Sequence, residues 1–271
     1  MSKFKNTYFD QIYTKNLTFF IKNLLTKINI NKEVIDILTS KICIDEFKKA
    51  FTTIYYDNIN NYEFYEILGD ATINKCVTWY FQRRFPHLRT AGGVKYLTRL
   101  KISVVSKDGF SSLAEKIGLS KYIRKSENEI TEYKKLLEDI FEAFMGCLEF
   151  LVDNYIEKHK GYSIVYSVIE YLLNSMDFNM DYEKLLDPKT RLKELFDIRP
   201  QDDYKVSYSA LLENSTDSKI ECKIQASVST PNGKQIFIGK GYSNKRANAE
   251  QLACEDLLSI LKLNGIDRLV D

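Results

Sequence analysis

Two short segments of the sequence carry carboxylates at helical spacing. Glu66 and Asp70 are four residues apart, so both would project from one face of a helix. Asp139 and Glu142 are three apart and would do the same on a second helix. Carboxylates brought to a common point repel one another unless cations neutralise them, and hard oxygen ligands select Mg²⁺ or Mn²⁺. Two such ions about 3.5–4 Å apart could activate water and stabilise the leaving oxygen in phosphodiester hydrolysis.

The same spacing has a plainer explanation. The chain contains 37 acidic residues, and in helical sequence such residues often fall together on solvated faces. No serine, histidine and acid trio competes with the carboxylates, and no cysteine and histidine arrangement does. His87 and His159, the two histidines, are more typical of surface or packed residues than of catalytic bases. Both interpretations of the spacing stay open at this point.

The spacing of apolar residues predicts the elements that must position these acids. From about residue 16 to 174 apolar residues recur at three- and four-residue intervals, which predicts helices. Pro86 should end one helix, and the glycine pair at residues 92–93 marks a loop. Gly118 should end a helix that begins near Phe110.

After residue 200 the apolar period changes to two, which predicts three strands with one buried face. The residues of that face are Tyr204, Val206, Tyr208, Ile220, Cys222, Ile224, Ala226, Val228, Ile236 and Ile238. Residues 231–233, Pro-Asn-Gly, should form the hairpin turn between the second and third strands. Pro188 opens a preceding helix, and a final helix carries Ala249, Ala253, Leu257 and Leu261 on one stripe with Cys254 beside it.

The predicted organisation has four parts. Residues 1–35 form an N-terminal extension that should be helical, and residues 36–174 form a mainly α domain that carries the acids. A polar linker at residues 175–186 leads to an α+β domain of order α-β-β-β-α at residues 187–264.

Composition limits the class of protein. Its 39 basic residues nearly cancel its 37 acidic ones, so any surface for nucleic acid must be local. The five cysteines are scattered singly, which favours a reducing compartment over a disulfide framework. The apolar runs are too short for a signal peptide or a membrane span. We therefore expect an intracellular protein, cytoplasmic or nuclear, that is not secreted and binds no membrane.

Several motifs resemble those of one known family. Residues 63–71, EFYEILGDA, resemble the ribonuclease III signature E-R-L-E-F-L-G-D-A, and residues 139–143, DIFEA, resemble that family's D-x-x-E-A. Between them, residues 97–101 and 113–119 are similar to its L-T-R-L-R and L-A-x-x-L-G-L stretches. Residues 187–194, DPKTRLKE, resemble the D-P-K-T-x-L-Q-E that opens its double-stranded-RNA-binding domain. The chain is thus identified as a member of the ribonuclease III family.

The resemblance implies a function and a set of catalytic residues. It implies Mg²⁺, with Mn²⁺ as a substitute, held by Glu66, Asp70, Asp139 and Glu142. It further implies a homodimer whose two active centres each cut one strand of double-stranded RNA, leaving 5′-phosphates and short 3′ overhangs. Lys135 matches a lysine of the dicer-like branch and could stabilise charge on the phosphate, although a solvated lysine is an equal alternative.

Departures from the family concern the dimer and the RNA contacts. The resemblance places four residues at the dimer interface: Tyr62, Glu63, Phe64 and Tyr65. The three aromatic residues replace partly charged or aliphatic residues of the family. Alternatively, these aromatic side chains fill the core of the monomer. The predicted RNA-binding residues are Lys189, Thr190, Glu194, Lys240, Lys245 and Arg246. The basic loop around Lys245 is two residues longer than the family's, and the family's histidine is missing from the loop at residues 213–219.

Two rival functions remain beside the endonuclease. One is a non-catalytic RNA-binding or ribosome-associated protein on the same fold, but all four acidic positions are filled. The other is an RNA-silencing antagonist that sequesters duplexes without needing cleavage. Divalent-metal-dependent cleavage of duplex RNA by the purified protein would distinguish the endonuclease from both rival functions.

Overall fold

The computed structural model describes residues 2–178, 185–197, 205–210, 222–229 and 235–266. The chain divides into two units, residues 1–178 and residues 179–271, and each is described by itself. Among the described residues, none of the helices combines the length and the hydrophobicity needed to cross a lipid bilayer.

The first unit is built from helices, which confirms the predicted mainly α fold. They are α1 (Ser2–Lys27), α2 (Lys32–Leu38), α3 (Lys41–Ala50), α4 (Glu63–Arg84), α5 (Gly93–Val104), α6 (Lys107–Ile117), α7 (Tyr133–Tyr155) and α8 (Gly161–Leu173). Two short 3₁₀ turns, Pro86–Leu88 and Leu119–Tyr122, follow α4 and α6.

Helix α7 lies at the centre of this unit. It contacts α3, α4, α6 and α8, and its apolar side chains, such as Leu137, Phe141 and Leu148, are fully buried. A helix that is covered on all sides buries its polar residues as well. Asp139 and Glu142 of α7 are buried inside the unit, where charge is costly unless it is compensated.

Local sequence explains where the helices begin and end. Helix α4 stops just before Pro86, as predicted. Gly118 ends α6 in the left-handed region with φ +77°, also as predicted. The predicted start of α6 near Phe110 is wrong, because the Ser106 hydroxyl caps the helix by accepting the N–H of Gly109 at 3.1 Å.

Helix α1 packs on the rest of the first unit. Its Leu17, Ile21 and Leu25 are fully buried, so one stripe of the helix belongs to the core. The Tyr13 hydroxyl donates to the carbonyl of Tyr122 at 2.8 Å, which fixes α1 to the turn after α6.

The second unit has the predicted order α-β-β-β-α. Its elements are α9 (Pro188–Asp197), β1 (Lys205–Ala210), β2 (Cys222–Ser229), β3 (Gln235–Ser243) and α10 (Arg246–Leu263). The strands pair antiparallel in the order β1-β2-β3, with Ala226 between Tyr208 and Gly239. This arrangement is compatible with a double-stranded-RNA-binding domain. The predicted turn at residues 231–233, the loop at 213–219, Tyr204 and Ile220 lie outside the described residues.

The predicted buried face of β3 is wrong. Ile236 and Ile238 are each 38% exposed, and the alternate positions Gly239 and Gly241 face α10 instead. A Cβ added at Gly239 would lie 2.3 Å from the carbonyl oxygen of Ala253. The helix thus approaches the strand at its glycines, a contact that a search for alternating apolar residues cannot detect.

Candidate active site

Helices α4 and α7 cross in backbone contact because each carries a glycine at the crossing. A Cβ added at Gly69 would lie 1.8 Å from the carbonyl oxygen of Glu142. One added at Gly146 would lie 2.0 Å from the carbonyl oxygen of Tyr65. No larger residue fits either position unless the helices separate. The crossing therefore brings Glu66, which lies one turn before Gly69, against the acids of α7.

Three of the four predicted carboxylates meet at this crossing. Glu66, Asp139 and Glu142 each place a carboxylate oxygen within 4.8 Å of the others. Asp139 and Glu142 are buried, and Glu66 is half-buried. Asp70 is exposed and turns aside, since its Oδ1 accepts a hydrogen bond from the Asn74 side-chain amide at 2.7 Å.

Burial and mutual repulsion raise the pKa of two of these acids. Burial, followed by the charge of Asp139, raises the pKa of Glu66 from 4.5 to about 7. Burial, followed by the charge of Asp70, raises the pKa of Glu142 to about 8. Asp70 is therefore close enough to act on Glu142 through its charge. Acids that resist ionising together are stabilised by a cation among them.

Lys135 is a cation that the chain itself supplies to the site. Its Nζ lies 2.6 Å from Asp139 Oδ1 and 3.2 Å from Glu138 Oε2. Burial opposes the charge on this lysine, but the bonds to the two acids outweigh burial and raise its pKa. Lys135 thus stays protonated, and its single charge is too small to neutralise the whole carboxylate cluster.

Tyr62 lies at the carboxylates, although the sequence placed it at a dimer interface. Its hydroxyl donates to Asp139 Oδ2 at 3.3 Å. Burial and then the charge of Asp139 raise the pKa of the phenol, so the phenol remains a donor. The signal that could have identified this residue is its spacing, four residues before Glu66 and so on the same face.

The cluster has the chemistry of a divalent-cation site. Asp139 Oδ1 is buried, and its close polar neighbour is the ammonium of Lys135 at 2.6 Å. Carboxylate oxygens are the hard ligands that Mg²⁺ and Mn²⁺ prefer. Glu66, Asp139 and Glu142 therefore fit such an ion.

The raised pKa values predict how metal-free protein responds to pH. Glu66 and Glu142 are more easily protonated in the folded chain than at their ordinary pKa of 4.5. Their contribution to stability is therefore complete below about pH 4.5 and is lost as the pH rises through about 7 to 8. We expect the Tm measured in a chelator to fall by several degrees between about pH 5 and 8, since each kcal/mol lowers Tm by about 2–4 °C.

Differential scanning fluorimetry measures this fall. Glu142→Gln removes one of the two titrating groups, so its Tm should fall less over the same range. A divalent cation should restore the Tm of the unaltered protein at the upper end of the range. A Tm that stays flat in the chelator would contradict the electrostatic account of the cluster.

The other residues predicted for the dimer interface have different environments. Glu63 and Phe64 are exposed, and Phe64 shows 60% of its surface. Tyr65 is 5% exposed, and its hydroxyl donates to Glu46, so this ring packs within the unit. Ile67, which was not among the predicted interface residues, is 75% exposed on the same helix.

In the second unit, two of the predicted RNA contacts converge on one acid. Lys189 Nζ lies 2.7 Å from Glu250 Oε2, and Arg246 Nε lies 3.0 Å from Glu250 Oε1. The Lys189 ammonium also lies 4.8 Å from the centre of the Tyr208 ring. These bonds place both cations beside the start of α10.

The remaining predicted contacts lie around the same two helices. Lys240 and Lys245 are exposed, and Lys245 is the N-cap residue of α10. Thr190 donates its hydroxyl to Asp187 Oδ2 at 2.6 Å and its backbone N–H to Asp187 Oδ1 at 3.1 Å, so Asp187 caps the start of α9. Glu194 is half-buried on α9.

Comparison with known proteins identifies relatives of the chain. Residues 63–151 match the model of the Ribonuclease III domain family. A protein of Invertebrate iridescent virus 6, provisionally named ribonuclease 3, is 31% identical over 264 residues, which is 90% of this chain and 86% of the relative. The ribonuclease 3 of Limosilactobacillus fermentum is 30% identical over 216 residues, 74% of this chain and 84% of its own. The nuclease domain of a Campylobacter jejuni ribonuclease III matches 58% of this chain and 98% of its own, with TM-score 0.41 and 19% identity.

Proposed function

Because the chain belongs to the ribonuclease III family, we propose that it hydrolyses double-stranded RNA at the carboxylates of α4 and α7. Membership makes it a ribonuclease III enzyme, an endoribonuclease that acts on RNA with a divalent metal. The duplex specificity, the two-cation mechanism and the end chemistry are our proposal. The observation that supports it is the meeting of Glu66, Asp139 and Glu142 within 4.8 Å.

The proposed ligands are the three converging acids and Asp70, which Asn74 holds nearby. Two Mg²⁺ ions, or Mn²⁺ in their place, would activate water and stabilise the leaving oxygen when bound. Bound cations would lower the raised pKa values of Glu66 and Glu142, so both acids would release their protons when the metal binds. Expected products carry 5′-phosphates and short 3′ overhangs.

Lys135 and Tyr62 position the carboxylate of Asp139, which lies between them. The lysine contacts one oxygen of Asp139 and the tyrosine contacts the other, which fixes the carboxylate plane. Since Lys135 stays protonated, it is poor as a general acid and serves as a fixed positive charge near the phosphate. Lys135 is our proposed fifth catalytic residue.

Cleavage by the purified full chain tests the proposal. A blunt duplex RNA should be cut in Mg²⁺, left intact in a chelator, and cut again when Mn²⁺ is supplied. A single strand of the same sequence should resist. Tight duplex binding without cleavage in either ion would favour the sequestering function instead.

The second unit is proposed to hold the duplex at the start of α10. Phosphates are attracted to the N-terminus of a helix, where Lys245 and Arg246 lie. Such domains contact A-form shape and 2′-hydroxyls, which favours duplex over single strand. The proposed contacts also include Lys189, Thr190, Glu194 and Lys240.

We predict that Lys245→Ala with Arg246→Ala weakens duplex binding and flattens its salt dependence. Each lost phosphate contact removes about 0.9 from the slope of log affinity against log salt. Cleavage at low salt should persist. Lys262→Ala, at the opposite end of α10, is the control, and a double variant with the slope of this control would mean that the contact loop is misplaced.

A homodimer is the simplest way for one carboxylate cluster per chain to cut both strands. The exposed Phe64 and Ile67 on α4 are the proposed centre of its interface, with Glu63 beside them and Tyr62 at its edge. Tyr65 supports this helix from within the unit.

Light scattering tests this assembly. We expect a mass near twice the 31.6 kDa of the monomer at micromolar concentration. Phe64→Ser with Ile67→Ser should weaken the dimer by about tenfold or more, because both side chains lose apolar contact. Leu263→Ser, which alters a still more exposed apolar residue in the second unit, should leave the mass unchanged. A monomeric mass for the unaltered chain, with or without duplex RNA, would refute the dimer.

A further inference from the structure

A groove runs along α1 in the first unit, separate from the carboxylates. It consists of two adjoining cavities of about 430 and 190 Å³. Both are lined by Phe19, Lys121 and Tyr122, so they form one continuous depression between α1 and the turn after α6. Neither the proposed hydrolysis nor the proposed dimer uses this surface.

The charge of the groove has one sign. Lys27, Lys116 and Lys121 line it, and no described residue that lines either cavity is acidic. Over the whole chain the charges nearly balance, with 39 basic and 37 acidic residues. Three lysines without a carboxylate among the lining residues therefore mark a local site for an anion.

The walls of the groove also present aromatic rings. Phe19 is 66% exposed, whereas its neighbours Leu17 and Ile21 on α1 are fully buried. Tyr171 of α8 is exposed on the other side of the larger cavity. Phe20 packs against Tyr122 with ring centres 4.9 Å apart, which leaves the groove with a firm apolar floor.

Specific contacts hold these walls in place. The Tyr13 hydroxyl bonds to the carbonyl of Tyr122 and ties α1 to the turn. Gly118, with φ +77°, turns the chain sharply, and the Lys121 side chain lies back over it. The ammonium of Lys116 bonds to the hydroxyl and the carbonyl of Ser175, which joins α6 to the segment after α8.

We propose that this groove binds single-stranded RNA. Lysines along a groove follow the phosphates, and exposed rings stack on the bases, a combination that suits single strands of any sequence. A duplex offers its phosphates but keeps its bases stacked on one another, so the rings would find no partner. An acidic polypeptide would satisfy the lysines and leave Phe19 and Tyr171 without stacking partners. The groove would thus hold an unpaired flank of an RNA, a binding activity that does not depend on cleavage.

Binding of a labelled oligouridine of about eight nucleotides to the full chain tests the groove. The measurement is fluorescence anisotropy in a chelator, so that no RNA is cut. Phe19→Ala should weaken binding about five- to tenfold through lost stacking. Lys27→Ala with Lys121→Ala should lower the salt slope by about 0.7 for each lost contact.

Lys15→Ala with Lys22→Ala is the matched control. It removes the same total charge as the lysine pair of the groove, at two positions on α1 outside the lining, and it should bind like the unaltered chain. If the control and the groove variants weakened binding equally, binding would depend only on the overall positive charge of the chain. That result would overturn the proposal. So would unchanged binding in both groove variants.

Competition and cross-linking identify the ligand and the place independently of any variant. Excess blunt duplex should not displace the oligouridine, and polyglutamate should compete poorly. Displacement by the duplex would mean that the oligouridine binds at the duplex site, and equal competition by polyglutamate would mean that the groove binds acidic polypeptides.

A thiouridine-substituted strand should cross-link to peptides that contain Phe19, Tyr122 or Tyr171. Cross-links confined to the second unit would also overturn the proposal, whereas failure to cut duplex RNA would overturn only the proposed hydrolysis.

Discussion

Glu142→Gln is expected to lower the rate of duplex cleavage by about a thousandfold or more while duplex binding stays within about twofold. The neutral amide removes a charged ligand from the cluster at the crossing of α4 and α7. Metal ions contribute several kcal/mol of charge stabilisation in the transition state, and each 1.36 kcal/mol corresponds to tenfold in rate. The measurement is single-turnover cleavage in Mg²⁺ beside duplex binding in a chelator. Asp70→Asn should behave alike if Asp70 leaves Asn74 and joins the cations.

Glu149→Gln provides the matched control for this prediction. The same change of acid to amide then occurs on α7 about two turns away, where the carboxylate bonds to the Thr72 hydroxyl outside the cluster. Its cleavage rate should remain within a few-fold of the unaltered chain. Near-normal cleavage by Glu142→Gln at ordinary Mg²⁺ concentrations would remove the four-carboxylate site from consideration.

The helical period was sufficient to predict which acids share a face. Glu66 with Asp70, and Asp139 with Glu142, are placed on common faces by 3.6 residues per turn alone. Helical spacing does not predict the side-chain torsions that turn Glu66 inward and Asp70 toward Asn74. Those torsions depend on the neighbouring helix, which no local pattern describes.

The environments of Tyr62 and Tyr65 could not be predicted from their residue type either. Both fall in the motif that resembles the family signature, and the resemblance assigned them to an interface. In the folded chain Tyr62 contacts Asp139, and Tyr65 bonds to Glu46 inside the unit. An aromatic residue can serve a core, a site or an interface equally well, so its type alone did not decide its role.

Glycines explain why the predicted buried face of β3 is wrong. In β3 the alternation of Ile236 and Ile238 suggested a buried face, but Gly239 and Gly241 occupy that face because α10 lies against them. At the acids, Gly69 and Gly146 allow α4 and α7 to touch. A residue without a side chain contributes nothing to a hydrophobic pattern, although it can determine how close two elements come.

Gly69→Ala is therefore expected to damage both the fold and the site. The added methyl would lie 1.8 Å from the carbonyl oxygen of Glu142, a backbone atom that cannot move alone. The helices must separate, which should cost about 3 kcal/mol or more and lower Tm by about 6 °C or more. Separation also moves Glu66 away from Asp139, and a shift of about 1 Å in a catalytic group can cost about a hundredfold in rate.

Gly92→Ala separates this effect from the ordinary consequences of replacing a glycine. A Cβ added at Gly92 meets no atom within 4 Å, and the residue already has helical φ and ψ of −68° and −34°. Its stability should change by less than about 0.5 kcal/mol, with cleavage unaltered. Circular dichroism at a temperature where Gly69→Ala remains folded then isolates the loss at the site. We expect cleavage to be lost there even though the helices persist, because the acids need the contact between α4 and α7 and not merely the helices themselves. Normal cleavage by folded Gly69→Ala would show that the close crossing is dispensable for bringing the carboxylates together.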